Sequence, residues 1–159
     1  MTALLRSRSL ALAAGFVAVV LVYAGLSRLW TDTESTWYRS LEEPSWQPPD
    51  AVFGIIWPLN YLALLVVGVL LSVRQPQVAS RALGVLSASV VFAVAWSYLF
   101  GQVHALAWAA VVLLVAAALT WLLLVVVGRA GGGYAAGLLV YAVWMTLAAS
   151  LSLGYVVLN

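Results

Sequence analysis

The sequence predicts an all-α integral membrane protein, a single bundle of five transmembrane helices spanning residues 1–159. Residues AVILMFWYC make up 65% of the chain and charged residues only 8%, with a mean hydropathy of +1.09, whereas a soluble domain carries roughly a quarter charged residues. Five apolar runs each reach the length of about 20 residues that a helix needs to cross the hydrocarbon. Lipid offers no partner to backbone groups, so each run is expected to be helical.

The five runs define the predicted elements in chain order. The first begins after Arg6 and Arg8, and a cleaved signal peptide is its alternative interpretation. Its apolar stretch continues from Leu10 to Leu26, beyond the usual core of about 7–15 residues, so we interpret it as a helix. The predicted spans are 9–28, 51–73, 82–102, 105–127 and 134–158.

The connections differ in length and composition. The first covers residues 29–50 and is longer than a link between two helices requires, which indicates a function. Its prolines Pro44, Pro48 and Pro49 predict an extended, stiff backbone. Residues 128–133 read GRAGGG; without a following lysine and hydroxyl, and without a preceding strand, they predict a flexible turn rather than a phosphate loop.

The arginines orient the bundle. With five helices, one side collects Arg6, Arg8, Arg74, Arg81 and Arg129, and the other side only Arg28 and Arg39. Basic residues near helix ends stay in the cytoplasm. We therefore expect a cytoplasmic N-terminus, an external first loop and an external C-terminus, with the bacterial plasma membrane as the favoured location.

The composition excludes several classes of function. The chain has no cysteine and one histidine, His104, which rules out thiolate zinc sites and iron–sulfur clusters, so we expect no metal site and no required cofactor. A net charge of +2 is too small for a surface that follows nucleic acid. All five acids lie in the first loop, so an intramembrane proton relay is absent. His104 is interpreted as an interfacial turn residue rather than a haem ligand or base.

Aromatic residues recur at helical spacing on three predicted helices. Their stripes are Phe53, Trp57 and Tyr61 on the second, Phe92, Trp96 and Phe100 on the third, and Tyr141 and Trp144 with Ala148 on the fifth. Trp57 and Trp144 lie well inside their spans, close to Asn60 and to Ala148. Inward-facing rings would form a flat apolar slot for a planar polycyclic ligand. Periodicity alone leaves a pocket and simple core packing equally open.

The segment from Trp37 to Tyr61, WYRSLEEPSWQPPDAVFGIIWPLNY, resembles the signature of the TspO/MBR family of tryptophan-rich sensory proteins, which includes the mitochondrial translocator protein. The weaker agreement extends over nearly the whole chain, through Trp96, Phe100 and Trp108 to Asn159. The resemblance implies a five-helix bundle, often a homodimer, whose first loop covers a ligand pocket. Members of that family bind porphyrins such as protoporphyrin IX, and some have been linked to transport, stress signalling or light-dependent porphyrin breakdown.

Carried over by position, the resemblance makes Trp57 and Trp144 the pocket tryptophans. Walls and cover follow from the same match and from the aromatic stripes. The walls are Phe53, Asn60, Tyr61, Ala93, Trp96, Phe100, Tyr141, Ala148 and Ser152, and the cover is Trp37, Tyr38, Pro44 and Trp46. Two polar pocket positions of the family appear here as Ser89 and Ala93, which alters the expected ligand preference.

Three functions follow from these observations. The favoured one is a sensor or carrier that holds porphyrins or similar planar apolar molecules, with Arg39 binding a ligand carboxylate. A second is a photochemical enzyme that degrades porphyrin, with Trp57 and Trp144 as its reactive residues. A third is a non-catalytic membrane scaffold. The expected partners are the lipid bilayer, the planar ligand and a second copy of the chain, since Gly84 with Ala88 and Gly133 with Gly137 allow close helix approach.

Overall fold

The computed structural model describes residues 2–159, with side chains from residue 6 onward. Within that part of the chain the regular structure consists of six α-helices and one π-helical turn, in the order of the sequence. They are α1 (Thr2–Trp30), α2 (Thr36–Ser40), α3 (Asp50–Arg74), α4 (Pro76–Tyr98), the π-helical turn (Leu99–Val103), α5 (Leu106–Gly128) and α6 (Gly132–Leu158).

Five of these helices are long and apolar enough to cross a membrane. Their spanning segments are Arg6–Trp30, Asp50–Arg74, Pro76–Val103, Leu106–Gly128 and Gly132–Leu158. The all-α, five-span prediction is therefore confirmed, and the chain is an integral membrane protein. The structure extends α1 beyond residues 9–28 at both ends and starts α4 at Pro76 rather than at 82. Only Gln75 separates α3 from α4, because Pro76 is readily accommodated in the first turn of a helix.

Helix α5 makes its most extensive contacts with α4 and α6. Its buried face includes four alanines, of which Ala109 and Ala116 are fully buried. Small side chains let helices approach closely where the bilayer supplies no hydrophobic drive for their association. Gly137 of α6 likewise packs on Val67 of α3, whereas the positions around Gly84 and Gly133 are open.

The first loop folds back over one end of the bundle, and residues 31–49 are called the lid from here on. It is not uniformly extended, as its prolines predicted, because the short helix α2 interrupts it. The Ser35 side chain caps this helix by accepting a hydrogen bond from the Tyr38 amide at 3.2 Å. After α2 the chain returns to an extended conformation at Leu41, ahead of the prolines.

The π-helical turn closes the same end of the bundle. Gly101 lies so near the end of α1 that a Cβ there would be 1.9 Å from the Trp30 carbonyl oxygen, so only glycine fits. His104 ends the turn with φ 61°, in the left-handed region. The lid, the end of α1 and this turn therefore lie together.

Candidate functional site

A cavity of about 580 Å³ lies between α1, α3, α4 and α6 beneath the lid. It is partly open, and apolar surface dominates its walls. Ten of the residues predicted for the ligand site line it: Tyr38, Phe53, Trp57, Tyr61, Ala93, Trp96, Phe100, Trp144, Ala148 and Ser152. The aromatic stripes of three helices thus converge on one space.

Two tryptophans set the shape of this cavity. The rings of Trp57 and Trp144 stand nearly perpendicular, at 89°, with centroids 6.2 Å apart. Phe53 meets Trp144 edge-on at 5.2 Å, and Tyr61 stacks on Trp57 at 5.7 Å. Edge-to-face and offset contacts of this kind hold aromatic rings in defined orientations. The result is a corner of flat apolar surfaces.

The wall formed by α4 is fixed by a polar contact between helices. The Trp96 indole N–H donates to Ser152 Oγ of α6 at 3.1 Å, and Phe100 stacks on Trp96 with centroids 5.3 Å apart. The Ser152 hydroxyl is engaged in orienting Trp96, which keeps that indole along the cavity wall.

Helix α1 contributes a wall that the sequence analysis missed. Tyr23, Ala24, Ser27 and Arg28 line the cavity, and Thr31 continues the wall into the lid. Tyr23 contacts both Trp57 and Tyr61 edge-on, at 5.8 and 5.4 Å. Phe16, Val20, Tyr23 and Ser27 recur at helical spacing, so this inward face was present in the sequence pattern.

Three predicted lid residues serve the lid's own attachment rather than the cavity lining. Trp37 stacks on His104. Pro44 and Trp46 pack on α6 at Gly154, where a Cβ would lie 2.7 Å from Pro44 and 2.9 Å from Trp46. The Trp46 indole N–H also donates to Ser150 Oγ at 3.2 Å. These side chains hold the cover in place.

Two predicted wall residues, Asn60 and Tyr141, are buried outside the cavity lining, at 1% and 0% exposure. Ser89 is also fully buried, and its hydroxyl lies 3.2 Å from that of Thr120 and donates to the Ala116 carbonyl at 3.0 Å. The Ser89 side chain therefore belongs to the packing between α4 and α5. Of Ser89 and Ala93, only Ala93 borders the cavity.

The charged residues at the mouth differ from the prediction. Arg39, expected to bind a ligand carboxylate, lies outside the cavity lining and forms an ion pair with Glu34. Arg28, at the end of α1, lines the cavity together with Glu34 and Asp50, and it forms no ion pair with any residue whose side chain the structure describes. The cation available to an anionic ligand group is consequently Arg28.

Hydrogen bonds fasten the lid to α6. The Tyr155 hydroxyl donates to Gln47 Oε1 at 2.6 Å and lies 3.2 Å from the Tyr38 hydroxyl. Asn159 accepts from the Glu42 amide at 2.9 Å and donates to the Glu42 carbonyl at 3.2 Å. The cover over the cavity is thus held by the last two turns of the final helix.

No group of three or more His, Cys, Asp or Glu residues that could hold a metal ion occurs within the described part of the chain. The chemistry available at the cavity is that of aromatic faces and hydroxyls, together with the Gln47 amide, the Arg28 guanidinium and the carboxylates of Glu34 and Asp50. These groups suit recognition of an apolar ring system with a polar end.

Comparison with known proteins gives a family match. The model of the TspO/MBR family matches residues 15–158, which covers the greater part of the first spanning helix, the other four spanning helices and the lid. No curated protein matches the chain significantly.

Proposed function

The chain belongs to the TspO/MBR family, and from this premise we propose that it is a membrane sensor or carrier for planar, largely apolar ligands of the porphyrin class. The ligand occupies the cavity beneath the lid, between Trp57, Trp144 and Trp96. Protoporphyrin IX is the representative ligand, and the protein needs no cofactor to hold it.

One observation carries this proposal: flat aromatic faces from three helices converge on a cavity of about 580 Å³. That volume lies within the range of roughly 300–1,000 Å³ that is usual for small-molecule sites. Flat rings give the largest contact to a flat macrocycle, and the perpendicular pair Trp57 and Trp144 offers one stacking face and one edge.

Unpaired polar atoms of the lining support a ligand that carries oxygen. Ser27 Oγ and Trp144 Nε1 are buried and have no hydrogen-bond partner within the described part of the chain. A buried donor without a partner costs about 1–3 kcal/mol. A carbonyl or carboxylate oxygen of the ligand, reached by a small rotation of either side chain, would recover part of this cost. Arg28 at the mouth receives a carboxylate.

The test is a titration of tryptophan fluorescence with protoporphyrin IX, using protein purified in detergent. We expect saturable quenching in the micromolar range, equivalent to about 8 kcal/mol of binding free energy. The double variant Trp57→Phe, Trp144→Phe should lose the saturable quenching. Trp108→Phe changes an indole that is 68% exposed and should retain it. Quenching absent from every variant would favour the scaffold interpretation, in which the aromatic residues only pack.

A second candidate function is photochemical porphyrin degradation. It is favoured by the placement of Trp57 and Trp144 against the same cavity, 6.2 Å apart, where both would contact a bound macrocycle. In this case one of the two indoles gives one electron to the excited macrocycle, so that the indole is oxidised and the macrocycle is reduced. The proposal of binding does not depend on this reaction.

The membrane orientation is part of the proposal. The arginine distribution supports a cytoplasmic N-terminus, with the lid and Asn159 on the external side of a bacterial plasma membrane. A reporter that is active only in the cytoplasm, fused after Asn159, should remain silent. Activity of that reporter would reverse the orientation.

A further inference from the structure

A second, smaller space lies beside the cavity on the membrane-facing surface of the bundle. It is a groove of about 340 Å³ between α3 and α6, and its walls are almost entirely apolar. Ile56 of α3 and Leu139, Val140, Val143 and Leu147 of α6 line it together with Trp144. Val140 and Val143 are more than half exposed, so the groove is open toward the lipid.

Trp144 borders both spaces. Its side chain lines the cavity beneath the lid and also the groove, and it is only 6% exposed. Among the residues that the structure describes, only Trp144 belongs to both linings. At this level of the bundle, one indole therefore separates the candidate ligand site from the membrane surface.

The contacts of Trp144 are those of a movable side chain. Its indole N–H has no hydrogen-bond partner within the described part of the chain, and its ring contacts with Phe53 and Trp57 are edge-on. Trp96 and Trp46 differ, since each donates a hydrogen bond to a serine of α6. Rotation of Trp144 breaks ring contacts worth about 0.5–1.5 kcal/mol each and no hydrogen bond.

The helices on either side of this position are held apart by the same rings. Two turns away along α6, the absence of a side chain at Gly137 lets Val67 of α3 approach directly. A Cβ at Gly137 would lie 3.1 Å from Val67 Cγ2. Around Trp144, Phe53 and Trp57 of α3 reach α6 through their rings instead. A turned indole would consequently open a passage without moving either backbone.

We propose that the groove is a lateral portal, through which a planar apolar ligand passes from the bilayer into the cavity, with Trp144 as its gate. The inference rests on the proposed function and names the route by which the same ligand arrives. An apolar ligand concentrates in the hydrocarbon, and the groove presents it with an apolar surface that meets the site at Trp144. The lid, fastened to α6 by Tyr155 and Asn159, can then stay closed during exchange.

The test uses single cysteines, because the natural chain has none. Val143→Cys in the groove is reconstituted in nanodiscs and alkylated with either N-cyclohexylmaleimide or the small N-methylmaleimide. Binding of protoporphyrin IX is then followed by stopped-flow quenching. Val125→Cys, at a residue of α5 that is 58% exposed, carries the same two adducts as the matched control.

The portal predicts that the large adduct at Val143 slows association at least fivefold relative to the small one. Dissociation should slow by a similar factor, so that Kd is preserved, and the control should show no difference. Equal association rates for the two adducts at Val143 would overturn the portal. Absence of saturable binding by the unmodified protein would instead remove the proposed function, so the two failures are distinguishable.

A second variant separates the portal from passage beneath the lid. Glu42→Cys with Asn159→Cys, joined by a short bis-methanethiosulfonate, locks the lid at a contact outside the cavity lining. Association should continue at its usual rate when the lid is locked. A rate that collapses on cross-linking and returns on reduction would assign access to the lid and overturn the portal.

Discussion

The indole of Trp37 lies flat on the imidazole of His104, with ring centroids 3.8 Å apart and planes within 9° of each other. This stack joins the lid to the turn between α4 and α5, 67 positions further along the chain. The backbone of His104 adopts the left-handed conformation, with φ 61°. Asparagine tolerates that backbone conformation better than most residues.

His104→Asn should therefore loosen the lid without straining the turn. Loss of a stacked pair costs about 0.5–1.5 kcal/mol, so amides of residues 36–41 should exchange with deuterium several-fold faster when local opening governs exchange. Trp37→Leu should have the same effect, and the double variant should add little to either single change. Fully additive effects would mean that the two rings stabilise the lid independently.

Gly154→Ala should lift the lid from α6. The added methyl would lie 2.7 Å from Pro44 and 2.9 Å from Trp46, and the proline ring cannot bend away. Gly133→Ala is the matched control in the same helix, because a Cβ there meets nothing within 4 Å. We expect faster deuterium exchange across residues 41–49 and weaker porphyrin binding for Gly154→Ala alone. Identical behaviour of the two variants would contradict the close packing of lid and helix.

Arg28→Ala should weaken binding of protoporphyrin IX, because this guanidinium lines the cavity and has no acidic partner among the described side chains. At an exposed mouth the loss is about 1 kcal/mol, roughly a fivefold rise in Kd. Arg39→Ala should change Kd little, since Arg39 lies outside the lining and is paired with Glu34. The fluorescence titration measures both. A larger rise in Kd for Arg39→Ala than for Arg28→Ala would show that Arg39 binds the carboxylate.

Illumination decides between binding and photochemistry. If Trp57 and Trp144 exchange electrons with the excited porphyrin, Trp144→Phe should slow its bleaching severalfold when rates are compared per bound ligand at saturation. Trp108→Phe removes an indole that is 68% exposed and outside the cavity lining, so it should bleach like the unaltered protein. Absorbance in the Soret region follows the reaction. Equal bleaching in all three proteins would exclude a role for Trp144.

Most residues of the cavity lining could be predicted from the sequence, but few contacts of the lid could. Trp57, Trp96 and Trp144 were identifiable because helical spacing places rings on one face, and the helices bring those faces together. Tyr23 and Ser27 obeyed the same spacing but were overlooked, since their helix carries few aromatic residues. Asn60 and Tyr141 were also expected in the cavity wall but lie outside the lining. A position on a helix does not fix which neighbouring helix the residue meets.

The lid could not be derived from local pattern at all. Its prolines predicted an extended chain, yet a serine cap starts a short helix at Thr36. The partners of Trp46 and Glu42 lie more than 100 residues away, at Ser150 and Asn159. Contacts so distant in sequence depend on how the five spans assemble. The same reason explains why Arg28 rather than Arg39 lines the cavity.

The lid's attachments have a consequence for heat denaturation. The lid connects α1 to α3 along the chain, while its side chains are held by α6 and by the turn between α4 and α5. One segment therefore ties all five spanning helices together at one end. A compound that binds only beneath a closed lid therefore stabilises the entire bundle. At a concentration of one hundred times its Kd, it adds about 2.7 kcal/mol to the free energy of unfolding and raises the melting temperature. Thermal-shift screening can accordingly find ligands that neither absorb light nor quench fluorescence.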